Sequence, residues 1–272
     1  MTDERAKDGD FGAFGMPQIR QVAALGRSIL NRPHTREGDA EAQIALVQGM
    51  QPFGGPIDPE MLEKMRPLTG FRSDFFDNEV LKALASGITQ VVNCGAGYDD
   101  RALRFRDSAV TYFELDLPEV IVDKNSRLER MGADVTQLRP IGLDLEVDDV
   151  AVALTSAGHD LTAPTFFMCE QLNATLSPWA NARLLASLFS RARPGSRLAL
   201  TIEASNEGLD PTQVRERRNA FFGGSAPMKT IVPRAEWLGL VGDAGWRVES
   251  PESVLEVMHT HEIHTQAVTA TA

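Results

Sequence analysis

The chain is poor in several kinds of residue. Only 2 cysteines occur in 272 residues, Cys94 and Cys169, too few for a disulfide framework and without the spacing of a zinc site. Positive charge is scarce: 27 Lys and Arg stand against 38 Asp and Glu, a net charge of −11. A surface that negative repels phosphate backbones and anionic lipid, so neither nucleic acid nor membrane is expected as a partner. No apolar run approaches the roughly 18 residues that a bilayer span requires. The opening MTDERAKDGD has no apolar stretch behind a basic start, so no secretory leader is expected. These absences point to a reduced, soluble, cytoplasmic protein. What remains is an ordinary globular composition, 43% hydrophobic and 24% charged, long enough for one large domain with a buried core.

Residues 1–16 are polar or glycine-rich. Ile19, Val22, Leu25, Ile29 and Leu30 then recur at helical spacing, predicting a helix after Pro17. Further helices are predicted over 39–50 and 58–66, the latter ending before Pro67, and this front part reads as a helical cap over 1–70. From residue 71 onward helices and strands alternate. Strands are predicted at 88–94, 109–115, 138–145, 164–170 and 197–204, with helices between them, an irregular lobe at 205–229 and a helix from Pro233. WRVES and VLEVMHTHEIH read as a closing antiparallel pair, because the three residues Pro251, Glu252 and Ser253 cannot make a crossover. Strands alternating with helices predict a doubly wound, mostly parallel α/β sheet of Rossmann type with an antiparallel edge pair.

The sharpest feature is VVNCGAGYDDRALRF at 91–105, a strand running through Gly95, Ala96 and Gly97 into a helix. Glycines let the backbone turn tightly and approach a ligand. A dinucleotide fingerprint needs a third glycine where Asp100 stands, and Asp99 with Asp100 would oppose a pyrophosphate, so a nicotinamide-dependent oxidoreductase is disfavoured. A ligand without phosphate, such as S-adenosyl-L-methionine, suits the turn better. Asp116 ends the next strand, where an acid can accept ribose hydroxyls. Asp144 and Leu145 end the third strand, placed for an adenine, and Glu170 ends the fourth. Any one of these acids could instead cap the following helix, but strand ends are where this fold binds ligands.

The same residues resemble the leucine carboxyl methyltransferase-like family, whose glycine turn reads V-V-x-L-G-A-G-x-D-T-R-A-x-R-L. FELDLPEVIVDKNSRLE (113–129), with Lys124, is similar to a second family segment, GFRSDFFDNEV (70–80), with Arg72 and Asp77, to a third, and QVAALGRSI (21–29) to its N-terminal helix. The resemblance implies an S-adenosyl-L-methionine-dependent methyltransferase with a helical cap. It places Arg72 on the methionine carboxylate, Gly95, Ala96 and Gly97 along the methionine and ribose, Asp116 and Leu117 at the ribose, Asp144 and Leu145 at the adenine, and Glu170 by the amino group. After Glu170 the family continues G-V-L-x-Y-L or C-V-L-x-Y-M, whereas this chain has Gln171, Leu172, Asn173, Ala174, Thr175 and Leu176. With Thr175 at the tyrosine position, the expected acceptor is a small molecule other than a leucine carboxylate, a saccharide or natural-product hydroxyl ahead of a carboxylate. A catalytically idle cofactor-binding module is the rival reading. Family members that pair through their caps leave a homodimer open.

Methyl transfer to an alcohol calls for a base; transfer to a carboxylate does not. No base is assigned. Gln171, Asn173 and Thr175 lie at the strand end that would meet an acceptor, and Phe221 and Phe222, beside paired glycines, read equally as a lid or as a packed loop. His159 is expected on the surface, at the wrong end of the sheet for chemistry. His259 and His261 would share a strand face, yet no metal is expected there. Arg215, Arg217 and Arg218 read as a solvated helix face, and Cys94 and Cys169 as neighbouring buried thiols.

Overall fold

The computed structural model describes residues 16–52, 54–206, 208–221, 228–249, 254–259 and 263–272. Three helices lead: α1 (Met16–Ser28), α2 (Ala42–Leu46) and α3 (Pro59–Ala85). The helix predicted to end before Pro67 is longer than expected: α3 runs unbroken past Pro67 and past position 70. Proline removes a single helical hydrogen bond, the one to the carbonyl of residue 63. Both residues are exposed, so water can take that carbonyl. Asp58 caps the start, its side chain accepting from the Glu60 amide. Helices α1 and α3 cross closely: a Cβ on Gly26 would stand 3.1 Å from Thr69 Oγ1, which explains a glycine inside α1 despite its helix cost.

The sheet follows. Strands β1 (Gln90–Cys94), β2 (Thr111–Asp116), β3 (Leu138–Gly142), β4 (Phe166–Cys169) and β5 (Arg197–Ser205) are separated by α4 (Arg101–Arg104), α5 (Pro118–Met131), α6 (Val150–Ser156) and α7 (Pro178–Ser190). They pair in parallel in the order β3-β2-β1-β4-β5. The reversal of order at β1 and β4 is the switch point at which this fold opens a crevice. Side chains alternate across the sheet with period two. Val91, Phe166 and Met168 pack under α1–α5, while Val92, Phe167 and Cys169 pack against α6, α7 and the helix over 234–243. Cys94 and Cys169 are free, buried neighbours, as expected; their mutual hydrogen bond and burial raise the Cys94 thiol well above its ordinary value.

The later elements are α8 (Pro211–Phe221), β6 (Val232–Pro233), α9 (Arg234–Asp243), β7 (Arg247–Val248), β8 (Val254–His259) and β9 (Ile263–Thr271). The irregular lobe thus contains a helix. The closing pair also differs from expectation. VLEVMHTHEIH is two strands, β8 and the start of β9, joined as a hairpin, and β7 and β8 both lie antiparallel along the same edge of β9. Strand β9 lies antiparallel to β5 over their full lengths. His259 and His264 are register partners across that hairpin; His261 and Phe222 lie outside the described residues. Among the described residues no three metal-ligating side chains come together, and no helix is long and apolar enough to cross a membrane.

His159 is not on the surface. It is buried at the amino ends of the strands, between the rings of Phe113 and Phe167. Arg191 Nη2 lies 3.0 Å from His159 Nδ1, and Thr165 Oγ1 lies 2.9 Å from Nε2. A guanidinium can only donate, so Nδ1 is the acceptor and Nε2 carries the proton. Burial, reinforced by Arg191, lowers the imidazole to about 4.

Candidate functional site

At the carboxyl ends of β1 and β2 the chain builds a crevice of two lobes, each about 260 Å³. Arg20, Gly95, Asp116, Leu172 and Thr175 border both lobes. Gly95 and Gly97 hold φ of 71° and 49°, a left-handed backbone that glycine adopts without strain. Gly95 also sits tight against Leu172, whose Cδ1 would stand 3.1 Å from an added Cβ. The turn is pinned from behind. Lys124 Nζ donates to the Asp99 carbonyl at 2.6 Å and to Glu114 Oε2 at 2.5 Å, which gives the family-like lysine its structural task.

Asp116 faces the crevice as expected. Its Oδ2 accepts from the Gly97 amide at 2.7 Å and its Oδ1 from the Leu117 amide at 2.8 Å. Arg20, on α1, reaches the same Oδ1 at 3.1 Å. The sequence offered no sign of this residue, since nothing in a surface-type helical repeat shows which strand end it will meet. Asp144, Leu145 and Leu117 border the second lobe with Leu143 and Leu176. The Asp144 carboxylate accepts from the Glu146 amide, which fixes it in its turn. An apolar floor beside a held carboxylate suits an aromatic ring that bears an amine.

Glu170 borders the first lobe and sits at the centre of a buried charge network that the sequence did not reveal. Arg72 Nε lies 2.8 Å from Glu170 Oε1, Arg101 Nη1 2.7 Å from Oε2, and Arg27 Nη1 3.8 Å from Oε1. Arg101 also bonds Asp99 and Asp77, Arg104 bonds Asp77 and Asp100, and Arg32 bonds Asp100. Five arginines therefore face four acids, an excess of one positive charge. Burial would raise the Glu170 carboxyl, but Arg101, Arg72 and Arg27 outweigh it and hold the group at about 2. Asp99 and Asp100 are consumed inside this network and do not stand as bare charges over the glycine turn. Arg27, not Arg72, borders the lobe; Arg72 lies behind it, holding Glu170.

Of the residues expected to meet an acceptor, Gln171 and Thr175 border the crevice. Asn173 does not: it is fully buried, donating to Asn181 Oδ1 at 2.8 Å, and its backbone oxygen accepts from Asn181 in return. Phe221 ends α8. Gln171 is the one non-glycine residue with positive φ among the described residues, at 53°. It takes the left-handed turn at the position where the resembled family carries glycine or cysteine. Besides Arg20 and Arg27, Glu203 on β5 and Met228 border the first lobe and were missed. A larger hollow of about 610 Å³, between α2 and the end of α5, is bordered by Arg106, Arg127 and Arg130. It stands away from the strand ends and holds none of the expected site residues.

Comparison with known proteins agrees with this geometry. The family model described as leucine carboxyl methyltransferase matches residues 36–189. A Mycobacterium sp. (strain KMS) protein, named as an inferred S-adenosyl-L-methionine-dependent methyltransferase, is 38% identical over 190 residues, covering 66% of this chain and 61% of that protein. A Mycobacterium avium (strain 104) protein with the same name is 33% identical over 240 residues, covering 84% of this chain and 74% of its own. The chain spans about six-tenths of the length of the first such relatives. Among solved structures, a DUF574 family protein from Streptomyces avermitilis superposes with a TM-score of 0.54 at 15% identity, covering 87% of this chain and 98% of the other. The magnesium protoporphyrin IX methyltransferase of Synechocystis PCC 6803, solved with bound SAH, gives 0.52 at 14% identity, covering 79% and 88%. These likenesses establish the fold, that of class I methyltransferases.

Proposed function

Since the chain belongs to the leucine carboxyl methyltransferase family, we propose that it is an S-adenosyl-L-methionine-dependent O-methyltransferase acting on a hydroxyl of a small molecule, a saccharide or other natural product. The observation that carries this reading is the meeting of Gly95, Gly97, Asp116, Asp144 and Glu170 around one crevice at the switch point of the sheet. The residues present fit the cofactor. The surplus positive charge beside Arg27 suits an amino-acid carboxylate. Glu170, ionised and buried, suits the ammonium group next to it. Asp116 can receive ribose hydroxyls, and Leu145 with Leu143 and Leu176 can pack on the adenine, whose amine Asp144 would accept.

When bound, the cofactor supplies an electrophilic methyl on a sulfonium. The protein's contribution is orientation and exclusion of water. Lys124 and the arginine network fix the glycine turn and Glu170 before any ligand arrives, so little reorganisation accompanies binding. Gln171 and Thr175, on the opposite wall, are placed to orient an acceptor. Replacing the family's tyrosine by Thr175 widens that wall, which supports an acceptor other than a leucine carboxylate.

Calorimetric titration of the protein with S-adenosylhomocysteine, with NADH alongside, tests the reading. Micromolar binding of the first and none of the second is expected. Binding of NADH alone would replace the methyltransferase reading by an oxidoreductase one.

A further inference from the structure

The front helices supply one wall of the first lobe. On α1 the residues that border it are Ile19, Arg20, Ala23 and Arg27, which share one face by their helical spacing. Arg27 is buried, yet little of its guanidinium is used by the fold. Among the described residues its one side-chain hydrogen bond runs from Nε to Gln43 Oε1, at 3.2 Å. Glu170 Oε1 stands 3.8 Å from Arg27 Nη1, beyond hydrogen-bond reach. The two Glu170 oxygens already accept from Arg72 and Arg101, at 2.8 and 2.7 Å. Both Nη groups of Arg27 therefore carry donors left over for a ligand in the lobe.

Gln43 lies on α2, 2% exposed, between two walls of this space. Its Nε2 donates to the Tyr98 backbone oxygen at 3.1 Å, directly after the glycine turn. The sense of the amide follows from its partners: a guanidinium can only donate and a backbone carbonyl can only accept. The amide oxygen must face Arg27 and the nitrogen Tyr98. One side chain thus ties α1 to the turn, and it holds Arg27 at Nε, behind the fork. Nη1 and Nη2 remain as a parallel pair, the geometry that matches the two oxygens of a carboxylate. The turn itself does not depend on this contact, because Lys124 holds the Asp99 carbonyl and Asp116 holds the Gly97 amide.

We propose that Gln43 is a positioning residue for the methyl donor: it aims the Nη groups of Arg27 at the carboxylate of the donor's amino-acid end. This rests on the cofactor reading above. Gln43 touches neither the donor nor the reacting atoms and acts through Arg27. Its neutrality matters as much as its place. A glutamate there would still accept from Arg27, but it would cancel the surplus positive charge of the network and set a carboxylate against the Tyr98 carbonyl.

The test compares wild type, Gln43→Met and Gln43→Glu by calorimetry with two probes. S-adenosylhomocysteine carries the amino-acid carboxylate. Methylthioadenosine has the same adenine, ribose and thioether but no amino acid. Gln43→Met should bind S-adenosylhomocysteine about tenfold more weakly, with methylthioadenosine bound as by wild type. Gln43→Glu should show the same selective loss, and it decides alone should Gln43→Met not fold. Equal weakening of both probes would make Gln43 a support of the turn only, and unchanged affinity for S-adenosylhomocysteine would leave it no role in binding; either overturns the assignment. Failure of wild type to bind either probe would instead sink the cofactor reading.

Discussion

At the carboxyl ends of the strands Glu170 is buried among Arg27, Arg72 and Arg101; at the amino ends His159 is buried between Arg191 and Thr165. Both groups have left water, and both have an arginine within hydrogen-bond reach. Glu170 is nevertheless held charged down to about pH 2, while His159 is held neutral down to about pH 4. Burial opposes charge on each of them, and the partners decide the outcome. Three guanidinium groups compensate a carboxylate, whereas one guanidinium beside an imidazole adds to the penalty. The first cluster is a charged scaffold beside the proposed ligand site, the second a neutral structural pin.

The comparison can be broken most severely at Arg101, which bonds Asp77, Asp99 and Glu170. Arg101→Met leaves three buried acids short of a donor, and a loss of about 3–5 kcal/mol is expected. Chemical denaturation would measure it, and S-adenosylhomocysteine affinity should fall with it. A loss below about 1 kcal/mol would mean that the network is far better hydrated than its burial indicates.

The pH dependence sharpens the contrast, because the two clusters act in different windows. The folded value of His159 is depressed below its unfolded one of about 6.5. Its contribution to stability is complete above that pH and falls away towards pH 4, by up to about 3 kcal/mol. Glu170 is also depressed, from 4.5, so its contribution is complete above pH 4.5 and lost only below. A decline between pH 6.5 and 4.5 in wild type should therefore flatten in His159→Gln. Persistence of the full decline in that variant would exclude His159 as its source.

A smaller effect is expected at Arg20. Its guanidinium shares Asp116 Oδ1 with the Leu117 amide, where a ribose hydroxyl would have to compete. Arg20→Ala should tighten S-adenosylhomocysteine binding by about threefold to tenfold, or about 1 kcal/mol. Weaker binding in the variant would make Arg20 a ligand contact instead of a competitor. Smallest is Gln171→Gly, which removes a side chain from a left-handed position. A gain of roughly 0.5–1 kcal/mol in unfolding free energy is expected, and a loss would show that the glutamine side chain contributes more than its backbone costs.

Much of this was legible in the residues, for identifiable reasons. A buried parallel strand such as FFMC is a continuous apolar run bounded by turns, and the glycine turn declares itself because few other residues can adopt its backbone. Asp116, Asp144 and Glu170 could be placed because Asp116 ends β2, Glu170 follows β4 directly and Asp144 stands two residues beyond β3. Arg101 and Arg104 could not. They sit in a four-residue helix, and local spacing says nothing of acids brought in from α3. His159 was misplaced because a loop position ordinarily means exposure, and the packing of Phe113 and Phe167 around it is a tertiary fact. Glu203 was hidden for a similar reason: one acid in an apolar strand gives no sign of which cavity its face will meet.

The unbroken passage of α3 past Pro67 has a mechanical meaning. A helix of 27 residues is a rod of about 40 Å at 1.5 Å per residue. Its outer half packs beside α1, while its middle carries Arg72 and Asp77, both fastened to the buried charges near the crevice. A rod without a joint transmits tilt as a lever does. Displacement of the front helices would reach Glu170 through Arg72 as a rigid translation of its guanidinium, tying the position of the cap to the setting of the strand-end acid.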